Sequence, residues 1–319
     1  MKEPIAMTEA FQPRRNADNV ALGIGLALVA TVIFAIQDAL AKLIVQDYSP
    51  FQLSMIRYWA FAAFAVVLAA RQGPLTAAFR SAHPRLQILR GVLLVGDIWF
   101  FANALVSVPL AELQGITLIY PLLTTLLAIP ILGEKVGMFR LGAVALGFAG
   151  ALVIVRPGGL PIDAGVLYAV LSAAFYAFYM VLTRKVSAND STATSMLYVG
   201  VVGLVLTTAV GLFFWAPVRM EDWWLIGTVG VTSVAAHGLT MVALGKAPAS
   251  VLQPFNYMTL PWAVLLSYTI FGHLIDPVSL VGALIVVSAG LIVMARERRL
   301  ARKGRSAGPS LSKSDVPPH

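Results

Sequence analysis

The sequence predicts an all-α, polytopic membrane protein of ten transmembrane helices, arranged as two inverted five-helix repeats. Three observations carry that expectation. The 319 residues are 59% hydrophobic and only 12% charged, whereas a soluble domain carries about twice that share of charge. Uncharged runs long enough to cross the hydrocarbon core, which takes about 20 residues, recur along almost the whole chain. One sentence of sequence is also written twice: "VPLAELQGITLIYPLLTTLLAIPILGEK" from Val108, and "APASVLQPFNYMTLPWAVLLSYTIFGHL" from Ala247.

Taken in order, the spans fall at 21–45, 51–70, 87–107, 110–132, 138–155, 163–184, 193–215, 224–245, 249–271 and 277–295. The first follows Arg14 and Arg15 as a signal peptide would. It runs on into Asp38 and Lys42 without a cleavage region, so it reads as a retained span. The second carries Arg57 near its start and the third Asp97 at its middle. The fourth and ninth are the two copies of the repeated sentence. The fifth and tenth are glycine- and alanine-bearing spans suited to close helix packing. The sixth presents Tyr168, Ser172, Phe175, Tyr176, Tyr179 and Thr183 along one face; the seventh opens on Ser195-Met196, and the eighth holds His237. The periods are helical and the segments too long for barrel strands, which excludes an outer-membrane barrel. The connecting loops are short and leave no room for a folded soluble domain.

The net charge of +8 does not point to nucleic acid, because its distribution follows the membrane. With the N-terminus inside, the inner segments from Lys2 to Lys246 and the tail after Ala295 hold nearly all the lysine and arginine, while the outer loops hold Arg156 and Arg219. That bias places both termini in the cytoplasm of a cell (inner) membrane protein. The chain divides into a tail at 1–19, a first repeat at 20–156, a second at 157–296, and a basic, unstructured tail at 297–319 that faces solvent or lipid head groups. There is no cysteine, so disulfide and thiol chemistry are absent and the redox compartment is unread.

The duplication extends beyond the fourth and ninth spans. Gly23, Phe34, Ala35, Leu40 and Lys42 of the first span align with Gly165, Tyr176, Ala177, Leu182 and Arg184 of the sixth; Ala149-Gly150 aligns with Ala289-Gly290. Five spans per copy turn the second copy over in the membrane. Inverted repeats of this kind are a common architecture of secondary transporters, which alternate access around a central site.

The stretch "FANALVSVPLAELQGITLIYPLLTTLLAIPILGEKVGMFRLGAVALGFAGALVIV" resembles the characteristic block of the drug/metabolite transporter superfamily, EamA type. Arg57 in "SMIRYW" and Lys42 at the end of span one fit the same pattern, over residues 20–296. The second half departs at His273, in the place of Glu134. The resemblance implies ten helices, a central cavity between the halves, and spans five and ten at the periphery. Within the superfamily the chain looks closest to carriers of vitamin- or cofactor-like metabolites, with riboflavin the named candidate. An exporter of amino acids or related metabolites is the alternative.

Ionisable residues in hydrocarbon each need a partner or a water-lined cavity. Asp38 and Lys42, four apart, can pair on one face, and with Arg57 and with Glu112 of span four, expected at a similar depth, they read either as an outer gate or as static pairs, Lys42 snorkelling to head groups. Asp97 has no basic partner on its own span. It faces a cavity, where it could carry a proton or meet an ammonium group, or it bonds a neighbouring helix. His237 is read as a packing residue. Gln114, Thr117, Pro121 and Thr124 share one face, as do Gln253 and Asn256. Prolines there free carbonyls and permit bending, so each repeat is expected to bring one bent, polar-striped helix to the same site. Phe100, Phe101, Tyr120, Tyr176, Tyr179 and Tyr257 add an aromatic lining suited to a planar solute. The partners expected are thus a small-molecule solute and the lipid bilayer. No cofactor or metal is assigned. A membrane-embedded enzyme is disfavoured, since the four histidines are scattered and no phosphate loop, paired-carboxylate motif or metal spacing appears.

Overall fold

A computed structural model describes residues 17–134, 136–155, 163–247 and 249–306. Its elements are α1 (Ala17–Ile44), α2 (Pro50–Gln72), α3 (Leu75–Ala78), α4 (Pro84–Ser107), α5 (Leu110–Thr117), α6 (Tyr120–Leu132), α7 (Met138–Val155), α8 (Ala164–Val186), α9 (Thr192–Gly211), α10 (Trp223–Lys246), α11 (Ala249–Leu252), α12 (Thr259–Phe271) and α13 (Pro277–Ser306). Among the described residues no strand occurs. Among the described residues nine helices are long and apolar enough to cross a membrane, with Leu110–Leu132 taken as one. The protein is an all-α, multi-pass membrane protein.

The two repeated sentences are the two broken spans. Proline expels the carbonyl four residues before it and cannot donate to it. Pro121 therefore strikes the carbonyl of Thr117, where α5 ends, and α6 resumes at Tyr120. In the second copy Pro254 and Pro261 bracket the break, and Gln253–Met258 winds as a 3₁₀-helix between α11 and α12. Runs of that length are uncommon and often mark a hinge. This interruption is why the ninth span is missing from the set of long continuous helices. Both copies end alike. Gly133 (φ 69°) and Gly272 (φ 63°) take the left-handed conformation that glycine adopts without penalty. Each donates to the carbonyl four residues back, and the next N–H reaches the carbonyl six back.

The main helix contacts repeat when the halves are exchanged. α1 packs on α10 and its counterpart α8 on α4; α2 packs on α9; α7 packs on α13; α6 packs on α8 as α12 does on α1. Matched residues make matched contacts. A Cβ added to Gly23 would stand 2.8 Å from Ala247, and one added to Gly165 would stand 3.0 Å from Val108, the repeat-mate of Ala247. On the α7–α13 pair, backbones touch: a Cβ on Gly282 would stand 2.6 Å from the Gly150 carbonyl, and one on Gly150 2.7 Å from the Gly282 carbonyl. Small residues allow this approach where no hydrophobic force drives helices together.

The loops obey the same exchange. At the end carrying Lys42, the loop after α1 is tied to the loop before α10: the Tyr48 hydroxyl donates to Asp222, and Arg219 donates to Asp47 and Asp222, each at 2.7 Å. At the end carrying Arg184, the loop after α8 is tied to the loop before α4, where Asp190 accepts from the Ala82 N–H and the Gln87 amide, each at 2.8 Å.

Two expectations are corrected. Helix α13 continues to Ser306, about three turns into the tail expected to be unstructured, because its Arg-, Leu- and Ala-rich sequence forms helix readily. Arg90, counted in the sequence only as one of the inner basic residues, is 2% exposed and held among α4, α8 and α9. Residues 1–16 and 307–319, and Lys135 and Arg156, lie outside the described residues.

Replacing Gly282 by valine forces α7 and α13 apart, and overpacking of this kind costs about 1–3 kcal/mol. Thermal unfolding in detergent, followed by tryptophan fluorescence, should show a clearly lower midpoint for Gly282→Val. Gly25→Ala, with nothing within 4 Å of the added methyl, should leave it unchanged.

Candidate functional site

Three charged side chains converge from the first three spans. Arg57 of α2 interacts electrostatically with both Asp38 of α1 and Asp97 of α4. Each carboxylate also takes one neutral donor from a further helix: the Gln114 amide of α5 donates to Asp38 at 2.8 Å, and the Ser172 hydroxyl of α8 donates to Asp97 at 2.6 Å. Asp97 lies ten residues from the end of α4, about 15 Å along the helix axis, which is membrane mid-depth. All three charged groups are closely surrounded yet keep some accessible surface, as groups bordering an internal space do. Beside Arg57 the space amounts to about 30 Å³, lined by Tyr58, Phe61, Leu94, Ile98, Ser233 and His237. That is room for a water-sized guest, so a ring compound enters only if the helices move. The His237 ring stays with its own helix, its Nδ1 2.8 Å from the Ser233 carbonyl, edge-on to Phe34 and Phe61.

A second set of side chains runs beside this one. Tyr120 of α6 shares a hydrogen bond with Asn256 of the 3₁₀ segment. Its ring meets Tyr176 of α8 edge-on at 4.7 Å, and Tyr176 stacks on Tyr179 at 5.7 Å. The guanidinium of Arg90 lies over Tyr179 at 5.4 Å. The result is a ladder of aromatic rings across the seam between the halves, polar at both ends. Both broken spans contribute to it.

Other expected residues go elsewhere. Phe100 packs onto α8, parallel to Tyr168 and edge-on to Phe175, and Phe101 packs against the core. Thr117 is half-buried, its hydroxyl returned to the carbonyls of Leu113 and Gln114. Tyr257 is buried against Gly290 of α13, its hydroxyl without a partner, so it points away from the ladder. The side chain of Gln253 lies outside the described residues. Asp38 and Lys42 are engaged separately: Lys42 Nζ donates to the carbonyls of Leu105 and Val108 at 2.7 and 2.9 Å. The free carbonyls at the end of α4 and the negative pole of its dipole draw the ammonium there.

The sequence pattern meets the model of the EamA-like transporter family twice, over residues 21–156 and 163–295. The chain belongs to the EamA-like transporter family. It is similar to the S-adenosylmethionine uptake transporter of Rickettsia bellii, 23% identical over 88% of this chain and 96% of that one. It is also similar to the riboflavin transporter of Vibrio cholerae serotype O1, 30% identical over 66% of this chain and 70% of that one. A protein crystal structure superposes on 89% of this chain and 99% of its own length, with a TM-score of 0.61 and 18% identity. The fold is therefore shared with a solved structure. The EamA membership makes this protein a transporter.

Sequence reasoning missed three features of this transporter. Arg90 counted only as an inner charge. The Glu112–His273 contact, 2.8 Å between Glu112 Oε1 and His273 Nε2, joins residues 161 apart that no periodicity links. The Asp190 network needed the loops to be seen in place. At Asp190, partial burial works against ionisation, but the donors Ser81, Gln87 and the Ala82 N–H outweigh it and hold the carboxyl below the usual carboxylate range.

A carboxyl lowered on folding contributes stability above its unfolded pKa of about 3.9 and loses it as pH falls through the lower folded value. The wild-type unfolding midpoint should therefore fall as pH drops below about 4. Asp190→Asn should start lower at neutral pH and show a shallower acid decline. An equally steep decline in the variant would remove Asp190 as its source.

Proposed function

We propose that this EamA transporter is an alternating-access carrier that takes up a planar nitrogen heterocycle across the inner membrane, with both termini cytoplasmic. Riboflavin is the first solute to test. The observation that carries the reading is the ladder Tyr120–Tyr176–Tyr179 with Asn256 at its end. Rings supply stacking faces, and the amide supplies a hydrogen bond at the rim of a flat solute. Asp97, Gln114 and Asn256 are assigned to the cavity wall, with Tyr176 at its centre. The names of the two relatives agree in chemistry, since S-adenosylmethionine and riboflavin each join a flat heterocycle to a hydroxylated five-carbon unit. S-adenosylmethionine is the second reading. Two carboxylates beside a single guanidinium favour a solute with a positive group, which it has and riboflavin lacks.

Stacking on one ring contributes about 1–3 kcal/mol. In a flavin-requiring bacterium the chain should restore growth on low riboflavin, and Tyr176→Ala should weaken uptake roughly tenfold. Asp97→Asn should alter the pH dependence of uptake; an unchanged profile at normal activity would free Asp97 of any proton-carrying role. Failure to rescue, with S-adenosylmethionine still entering cells, would favour the second reading. Failure to rescue, with resistance to toxic amino-acid analogues, would replace both with the amino-acid exporter.

A further inference from the structure

The seam between the repeats is closed differently at its two ends. The duplication pairs Lys42 with Arg184 and Glu134 with His273. At one end these positions form an ion pair, Arg184 donating to Glu134. At the other end base faces base, and a third residue supplies the acid. Glu112, whose repeat-mate is Val251, stands in the first turn of α5, where the helix dipole favours an anion. Its Oε1 is 2.8 Å from His273 Nε2, and Lys42 interacts with it electrostatically. Lys42 meanwhile lies 5.8 Å from the Phe271 ring and bonds the end of α4. One cluster thus joins α1, α4 and α5 of the first repeat to the end of α12 in the second.

Two details make this cluster more than packing. Glu112 is 3% exposed and its Oε2 is buried with no hydrogen-bond partner, so the carboxylate leans on His273 and Lys42 for compensation. His273 is 38% exposed, so solvent protons reach it. The other acids near this end are engaged: Asp163 accepts from the N–H groups of Gly165 and Val166, Asp276 from Ser279, Asp38 from Gln114, and Asp47 and Asp222 from Arg219, which also faces Glu221 at 3.5 Å. A neutral imidazole gives Glu112 an ordinary N–H bond. A protonated one gives it a charge-assisted bond, about twice as strong.

We infer that Lys42, Glu112 and His273 form a proton-operated latch that holds the Lys42 end of the transport path shut and tightens when His273 is protonated. The Arg184–Glu134 pair, which contains no histidine, is its counterpart at the other end. The inference rests on the alternating-access reading and adds a device that makes the two ends unequal.

The absence of cysteine gives a clean test, since introduced cysteines are then the sole labelling sites. Spin labels at Gln46→Cys and Leu274→Cys flank the latch, both exposed, Leu274 at 67%. Labels at Gly137→Cys and Ser187→Cys flank the opposite end. Distances are measured by double electron–electron resonance in lipid nanodiscs at about pH 8 and about pH 5.5, bracketing the histidine range. The closed-to-open ratio across the latch should rise roughly fivefold on acidification. His273→Gln, which still donates to Glu112, should keep both populations and lose the pH response, and Glu112→Gln should enrich the open population at both pH values. Two populations with a ratio indifferent to pH, or a response that survives His273→Gln, overturn the latch alone. A single population at both ends, at either pH, overturns the carrier reading beneath it.

Discussion

Hydrocarbon offers no water to a polar group, so whatever the spans draw inside must find its partner in the protein. In this EamA transporter that constraint arranges the centre. Arg57 stands between Asp38 and Asp97, and each carboxylate takes a further donor from Gln114 or Ser172. Five helices, α1, α2, α4, α5 and α8, are tied by one set of charges. Four come from the first repeat and one from the second, so the set crosses the seam along which the proposed alternation runs. Moving the halves apart changes which groups these charges meet, and that gives solute or proton binding a purchase on the conformation.

The breaks in the fourth and ninth spans belong to the same logic. Pro121 and Pro261 release carbonyls inside the two broken spans, and irregular backbone survives at membrane depth only where protein or a water-filled cavity meets it. Tyr120 and Asn256 flank those breaks and bond each other. The helix pairs away from the centre are regular and close: α7 on α13 touches backbone to backbone at Gly150 and Gly282. Rigid periphery and interrupted centre follow from where the sequence spends glycine and where it spends proline. Inversion then fixes the main pairing, since the closest helix contacts made by one repeat are made again by the other with partners exchanged.

Most of this architecture was legible in the sequence. Hydrophobic length located the spans to within a few residues, and the duplicated sentence identified the two bent helices, because proline acts on the carbonyl four residues before it wherever it stands. The central acids were legible too, as ionisable residues in apolar runs need a reason. Partner choice was not legible. Asp38 and Lys42 are one turn apart, yet Lys42 is long enough to reach the free carbonyls of α4, while Gln114 reaches Asp38 from α5. Tyr257 sits on the same sentence as Asn256 but turns to Gly290 of α13, a direction set by the 3₁₀ winding and invisible to helical periodicity. Glu112 and His273 meet only because inversion brings the start of one broken span to the end of the other.

The central claim is that opening at one end of the seam requires closure at the other. The most direct measurement joins Gln46→Cys to Leu274→Cys with a short reducible bifunctional linker and follows the distance between labels on α6 and α8 at the Arg184 end. With the Lys42 end held shut, the Arg184 end should shift to its open distance and net transport should stop, both recovering on cleavage of the linker. An Arg184 end that closes as freely with the linker in place as without it would contradict the account.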